Sequence, residues 1–318
     1  MCSIAFLAKK HTKIKKRKEE MRLKKTKGRQ KRIALMLACM MLLANVSTVA
    51  VSALEYYIQP SVSSRVRAQY EEIPITVFGR AADFDAYLIN GTTYVPLRAF
   101  CESMGRCAIS YNEKTRSATV DSNGLSLNAT DGSRLIMANG RALYSDAAAV
   151  ILSDNRLYVP VRPIAKAYGL TVVWSADTRS VTLKGWPKPI LAGDLYYDQS
   201  QVYWLAKIIS AEARGEPFLG QVAVGNVVLN RVRSTSYPNS IYGVIFDRRY
   251  GTQFAPVENG SIYLSATPSA ILAARVCLEG YSVSGDALFF IEPSKAASLW
   301  VSENRPYLFT IGAHYFFE

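Results

Sequence analysis

The feature that most constrains the fold of this chain is an internal repeat. Tyr94-Val95-Pro96-Leu97-Arg98 recurs as Tyr158-Val159-Pro160-Val161-Arg162. Each copy leads through a short helical stretch to a glycine, Gly105 or Gly169, and then into a strand, residues 108–111 or 171–174. A polar turn marked by Lys114 or Asp177 follows. The chain then enters Thr115-Arg116-Ser117-Ala118-Thr119-Val120 or its counterpart Thr178-Arg179-Ser180-Val181-Thr182-Leu183. Alternation of Ile109 with Tyr111, and of Ala118 with Val120, predicts half-buried hairpin strands. The glycine after each helix predicts a left-handed C-terminal cap. Two copies of one strand–helix–hairpin unit call for a β-rich domain over residues 73–185.

The net charge of +13 over 318 residues suggests a nucleic-acid binder until it is located. Residues 9–32 hold ten Lys and four Arg against Glu19 and Glu20, a net +12, which leaves the rest of the chain near +1. No basic surface remains for nucleic acid. Residues 33–53 carry no charge and end in Val51-Ser52-Ala53. A basic stretch, an apolar stretch and small residues describe a secretory signal over residues 1–53, cleaved after Ala53; an uncleaved membrane anchor is the alternative. Either way the folded part is expected on the extracytoplasmic side, secreted or associated with the cell envelope. Residues 54–72 read as a linker. Trp186-Pro187-Lys188-Pro189 interrupts both helix and strand and opens a second linker, 186–195. Cys101, Cys107 and Cys277 follow the leader, and they read as small buried residues rather than a disulfide framework.

In the remaining domain, 196–318, Val202, Leu205, Ile208 and Ile209 have helical spacing. Ser210-Ala211-Glu212-Ala213-Arg214-Gly215-Glu216-Pro217 stops that helix within a turn. Glu212 follows Ile208 by four residues and Ile209 by three, so it leans to the buried side. A carboxyl against apolar walls keeps its proton to higher pH, as a glycosidase acid must. The bland alternative is a solvated Glu in a last turn. Residues 221–232 read as a second helix with Val224, Val227 and Val228 buried and Asn226, Asn230 and Arg231 on its polar side. Residues 268–278 read as a third helix, and 287–291 and 314–317 as strands.

Six blocks of this domain resemble, in order, the cell-wall hydrolase family of spore cortex-lytic enzymes. They are Ala211 to Pro217, Gly220-Gln221-Val222-Ala223-Val224 running to Val228-Leu229-Asn230-Arg231-Val232, Tyr237-Pro238-Asn239 with Gly243-Val244-Ile245-Phe246, Gln253-Phe254-Ala255-Pro256-Val257 with Asn259-Gly260, Arg305-Pro306, and Ile311-Gly312-Ala313-His314. The resemblance implies a peptidoglycan-cleaving enzyme with Glu212 as its acid, in a lysozyme-like α+β domain. The repeat domain resembles the stalk-type domain named for the N-terminal part of copper amine oxidases. No His lies between residues 54 and 313, so an imidazole copper site within it is excluded. Attachment to wall or spore-surface proteins, or a plain spacer, are the roles open to it.

His314 is the only histidine after the leader, which disfavours the multi-His zinc sites of amidases and peptidases. A Cys–His peptidase would need Cys277, which sits mid-helix among apolar residues rather than at a helix N-terminus. His314 reads as a structural hydrogen bonder. Two-carboxylate hydrolysis needs a partner for Glu212 among Glu216, Asp247, Glu258, Asp286, Glu292 and Glu303. The resemblance implies instead a lytic transglycosylase that uses Glu212 alone, with no metal or cofactor. Gln253, Asn259 and the backbone near Phe290 would hydrogen-bond the substrate, and Phe254 and Tyr263 would stack on sugars. Glu216 and Arg231 would support the site, Glu216 as an ion pair with Arg214 or Arg231. The expected partner is the peptidoglycan glycan strand, in spore cortex or vegetative wall. The alternatives are a two-carboxylate muramidase or glucosaminidase, an N-acetylmuramoyl-L-alanine amidase, and a non-catalytic wall-binding protein.

Overall fold

The computed structural model describes residues 70–249, 251–296 and 299–318. The expected signal or anchor and most of the first linker lie outside them. Among the described residues no helix is long and apolar enough to cross a membrane. A β-rich region is followed by an α+β region of helices and one small sheet.

The β-rich region begins with β1 (Glu71–Ile73), β2 (Ile75–Val77), β3 (Arg80–Ala81), β4 (Ala86–Ile89), β5 (Thr92–Pro96) and α1 (Leu97–Ser103). It continues through β6 (Ala108–Asn112), β7 (Ser117–Ser122), β8 (Leu125–Thr130), β9 (Leu135–Ala138) and β10 (Arg141–Tyr144). β11 (Val150–Ile151), β12 (Leu157–Pro160), α2 (Val161–Ala167), β13 (Thr171–Ser175) and β14 (Ser180–Lys184) complete it. The two copies of the repeat meet strand to strand. β5 pairs antiparallel with β12, placing Val95 opposite Val159 and Tyr94 opposite Pro160. Val95, Val159, Phe100 and Ile164 are fully buried there. The repeated tyrosines are core residues: Tyr94 donates its hydroxyl to the Ala148 carbonyl at 2.8 Å and Tyr158 to Asp154 at 2.9 Å.

The two repeat hairpins go to different sheets. β6 and β7 form one edge of the order β10-β9-β8-β7-β6, whereas β13 and β14 join β2 and β3 through a parallel β14–β2 pairing. Both hairpins start their second strand later than the alternation suggests. Arg116 and Arg179 take positive φ, and Asn112 Oδ1 accepts from the Lys114 and Thr115 amides, so residues 115–116 stay in the turn. Asn90-Gly91, Asn123-Gly124 and Asn139-Gly140 have positive φ at both positions, as the two-residue turns favoured by hairpins require. The second helix of the repeat has the expected cap: Gly169 sits at φ +67, and Leu170 N–H returns to the Ala165 carbonyl. Gly105, at φ +135, does not reproduce it. The linker boundary also moves. Glu71 and Glu72 lie in β1, where their backbone pairs with Leu88 and Tyr87.

The α+β region comprises α3 (Gly193–Tyr196), α4 (Gln199–Ala213), α5 (Phe218–Arg233), α6 (Ile241–Ile245), α7 (Ala255–Glu258) and α8 (Pro268–Leu278). β15 (Phe289–Ile291), α9 (Trp300–Asn304), β16 (Tyr307–Ile311) and β17 (His314–Phe317) follow, with β17 central in the sheet β15-β17-β16. Asp198 caps α4 by accepting from the Ser200 and Gln201 amides, and Thr267 caps α8 by accepting from the Ala270 amide. α4, α5 and α8 pack closely at Gly225, where a Cβ would lie 2.8 Å from Ile209 and 2.7 Å from the Cys277 sulfur. Asn226, Asn230 and Arg231, expected on a solvated side of α5, are buried. They face the backbone of residues 281–288, whose carbonyls and amides need partners once covered.

Residues 186–195 are docked rather than free. Lys188 N–H bonds the Tyr168 carbonyl, Ile190 N–H that of Ala167, and Gly193 N–H that of Asn139. Just beyond the end of α8, the Glu279 carboxylate is closed in by Arg141 of β10, Lys166 of α2 and Tyr197. The Arg141 fork makes two bonds of 2.7 Å to it, the Tyr197 hydroxyl one of 2.7 Å, and Lys166 Nζ lies at 2.8 Å. Burial alone would raise the Glu279 pKa, but hydrogen bonds from Arg141, Lys166 and Tyr197 outweigh it and hold the carboxyl below its ordinary value. Removing one member of such a buried set leaves an uncompensated charge, at a cost of about 3 kcal/mol. Glu279→Ala is therefore expected to lower the melting temperature by several degrees. Because the folded-state pKa is depressed, this contribution is full above the ordinary value of 4.5 and is lost as pH falls below it. Melting curves of wild type and variant should accordingly converge at acid pH.

Candidate active site

α4 carries Glu212 in its last turn. The face formed by Leu205, Ile208 and Ile209 is fully buried, and this anchors the helix while its end reaches a cleft of about 1150 Å³. Glu212, Arg231, Gln253, Phe254, Asn259 and Phe290 all line that cleft. Burial pushes the Glu212 carboxyl up to about 7, against the opposing charge of Arg231. The group thus holds a proton near neutral pH.

Arg231 is the cation of the cleft floor. Its Nε donates to the Leu288 carbonyl at 2.7 Å, while Nη1 has no hydrogen-bond partner among the described residues. Its guanidinium carbon lies 5.0 Å from the Tyr237 ring centroid, 5.1 Å from Phe254 and 5.3 Å from Phe289. Three aromatic faces take the place of a carboxylate partner. Burial lowers the Arg231 pKa, and the charge of Glu212 is among those that oppose the shift.

The other expected site residues separate into two groups. Gln253 is half-buried, with its Nε2 near the Gly251 carbonyl at 3.3 Å. Asn259 uses its side-chain oxygen to accept from the Ser261 amide at 2.9 Å, which leaves its amide nitrogen as the end available to a ligand. Phe254 is almost wholly buried between Arg231 and Phe290, so it is a wall of the cleft and not a stacking platform. Phe290 packs edge-on against His314 at 5.2 Å. Tyr263 does not line the cleft. It is exposed in the turn after α7, and its carbonyl accepts from Lys207.

Glu216 pairs with neither Arg214 nor Arg231. Pro217 and the start of α5 turn it toward the β16–β17 turn, where its Oε2 accepts the Ala313 amide at 2.9 Å. Gly312, at φ +59, is required beneath it, because a Cβ there would lie 1.9 Å from that oxygen. Glu216 therefore latches the hairpin that carries His314. His314 is buried, and its Nδ1 has no hydrogen-bond partner among the described residues, 3.9 Å from the Glu216 carboxylate. Burial lowers its pKa, opposed by the charges of Glu216 and Glu292.

Of the remaining carboxylates, Asp247 is bound to Arg249 at 2.9 Å, and Glu258, Asp286 and Glu303 do not line the cleft. Glu292 does line it, with Lys295 Nζ at 2.9 Å. Cys277 is buried against the Val222 carbonyl, and burial raises its pKa steeply, which makes it a poor thiolate. Among the described residues no group of three or more His, Cys, Asp or Glu converges to hold a metal ion. Trp300, Lys295 and Phe289 line the cleft without having been singled out in the sequence, and Arg305 lines it although its block was given no role there. An exposed tryptophan in a polar segment and the Arg305-Pro306 block were the available signals.

Residues 215–317 match the family model of the cell wall hydrolases, and residues 76–184 that of the copper amine oxidase N-terminal domain. A spore cortex-lytic enzyme of Bacillus cereus is 42% identical over 120 residues, covering 38% of this chain and 45% of that protein. One from Bacillus subtilis is 38% identical over 122 residues, covering 38% and 39%. The chain thus spans less than half the length of these curated relatives. The solved catalytic domain of the germination-specific lytic transglycosylase SleB from Bacillus anthracis is 40% identical, with 41% of this chain and 100% of that one covered and a TM-score of 0.36.

Two outcomes are expected from this geometry. Glu216→Ala removes the bond to the Ala313 amide and is expected to cost about 1–2 kcal/mol in denaturant melts. Glu212→Gln keeps the shape of the side chain but cannot ionise. A carboxyl whose pKa rises on folding stabilises the fold less as pH climbs from 4.5 to about 7. The glutamine variant is therefore expected to melt no lower than wild type at pH 8.

Proposed function

We propose that this chain, which belongs to the cell wall hydrolase family through its C-terminal region, is a lytic transglycosylase that cleaves the MurNAc–GlcNAc bond of peptidoglycan. The observation that carries the reading is the Glu212 carboxyl, held protonated to about pH 7 in a cleft with aromatic walls. The spore cortex-lytic relatives support cortex peptidoglycan as the substrate and an extracytoplasmic place of action.

Glu212 donates its proton to the oxygen leaving muramic acid C1, and that C1–O bond breaks. The substrate's N-acetyl group supports the developing cation. The Glu212 carboxylate then takes the proton of the C6 hydroxyl as O6 bonds to C1, closing a 1,6-anhydro ring. No water is consumed: the donated proton stays on the departing hydroxyl, and the proton of the C6 hydroxyl restores Glu212 to its acid form. Arg231 suits this cycle because it stabilises the ionised form of Glu212 without hydrogen-bonding it permanently. Its three aromatic contacts keep it charged although buried. Asn259 and Gln253 offer amide groups to the N-acetyl and peptidyl parts of the substrate.

A second reading rests on Glu292. Hydrogen bonding from Lys295 holds its pKa below the ordinary value while burial raises that of Glu212, and both line one cleft. Two carboxyls pushed in opposite directions are the acid and base pattern of a hydrolysing glycosidase.

Mass spectrometry of digested peptidoglycan separates the two. Transglycosylation leaves anhydromuramic ends, and Glu292→Gln keeps most of the rate. Reducing ends, with loss of activity in Glu292→Gln, would transfer the chemistry to hydrolysis. Under either reading Glu212→Gln is expected to lower the rate by roughly a thousandfold or more. The wild-type rate should also fall as pH rises through about 7, where the acid loses its proton.

A further inference from the structure

Of the three Arg and Lys side chains that line the Glu212 cleft, two are engaged with a carboxylate or with the backbone. Arg231 is buried and bonded to the Leu288 carbonyl, and Lys295 is bonded to Glu292. Arg305 differs. It lines the same cleft, is exposed, and has no carboxylate within ion-pair range among the described residues. It is nevertheless held in place. Its guanidinium carbon lies 4.7 Å from the Phe289 ring centroid and 5.7 Å from that of Trp300. Its backbone N–H returns to the Val301 carbonyl at 2.9 Å, and the carbonyl of the following Pro306 accepts from Glu318 N–H at 3.0 Å. Stacking occupies the faces of a guanidinium and leaves the in-plane N–H fork free, and that fork matches a carboxylate.

A glycan strand offers such a cleft neutral hydroxyl and acetamido groups along its length. Its anionic groups are the carboxylate of the lactyl side chain on muramic acid, when that is free, and the carboxylates of a peptide built on it. We propose that Arg305 is a specificity-determining residue that selects strands bearing such a carboxylate on the muramic acid substituent. This rests on the transglycosylase reading and names the part of the substrate that the reading leaves unassigned. The wall of neutral side chains and the buried Arg231 can hold the sugars, whereas the fork of Arg305 gives a charge-assisted contact to what hangs from them. A contact of this kind at a solvent-open rim is worth about tenfold in affinity and weakens with added salt.

The test compares the full chain with Arg305→Ala and Arg305→Lys on three soluble substrates. These are glycan strands with intact peptides, strands stripped of peptide so that the lactyl carboxylate is free, and strands whose carboxylates have been converted to methylamides with carbodiimide. Wild type is expected to show a KM about tenfold lower on carboxylate-bearing strands than on neutralised ones. That ratio should fall toward one in Arg305→Ala, with Arg305→Lys intermediate, while kcat changes little. Whether the ratio appears with intact or with stripped strands identifies which carboxylate is bound. If Arg305→Ala fails to fold by circular dichroism, the wild-type ratio and the Lys variant decide. A wild type indifferent to neutralisation, or a ratio unaltered in the variants, overturns the role of Arg305 and leaves the cleavage reaction standing. A wild type that produces no anhydromuramic ends from any strand removes the reaction and this proposal together.

Discussion

The candidate site depends on the buried polar edge of α5. Asn226 donates to the Tyr281 carbonyl and accepts from the Val283 amide, Asn230 donates to the Gly285 and Ala287 carbonyls, and Arg231 donates to that of Leu288. Residues 281–288 form no regular element, yet they lead directly into β15 and one wall of the cleft. Backbone groups covered without partners cost roughly 1–3 kcal/mol each, so one helix edge supplying five of these bonds fixes the path of the loop. The same helix contacts α4 at Gly225, and α4 carries Glu212. Acid and wall are thus set by one rigid element and not by loop closure.

Arg231 joins this scaffold to the chemistry. It ends the polar edge and also faces Glu212. An arginine paired to a carboxylate would have its charge neutralised, whereas one packed against aromatic rings keeps an outward field. Burial of Glu212 raises its pKa and Arg231 moderates the rise, a balance that the proposed donation and recovery of a proton would require. Glu216, one turn on, serves the architecture instead. By accepting the Ala313 amide it ties the α4–α5 corner to β17, which presents His314 and, through β15, Phe290 to the cleft.

The repeat region is bonded to the helices through ionic and polar contacts. Glu279 ends α8 with a negative charge where the helix dipole disfavours one, and Arg141 and Lys166 compensate. Tyr197 completes the set, donating to Glu279 and accepting the Ala142 amide. The buried joint thus lies just past the segment that reads as a linker, at Tyr197.

Much of the organisation was legible in the residues. The duplicated Tyr-Val-Pro stretch gave the β-rich region, helical spacing gave α4, α5 and α8, and the place of Glu212 after Ile208 and Ile209 set it on the buried side of its helix, its role as an acid being implied by the resemblance. These signals are local, because periodicity and turn residues act over one element. Other features depend on what an element meets. Asn226, Asn230 and Arg231 look like a solvated stripe until residues 281–288 cover them, and Glu216 looks like an ion-pair partner until Gly312 lets a turn approach it. Tyr263 and Phe254 show the same limit: one aromatic faces solvent away from the cleft, and the other is buried beneath a guanidinium. Sequence by itself determined the helices, the repeat and the position of Glu212 at the end of a buried helix face. Tertiary structure alone decided which polar groups lose water, and desolvation sets both their partners and their proton affinities.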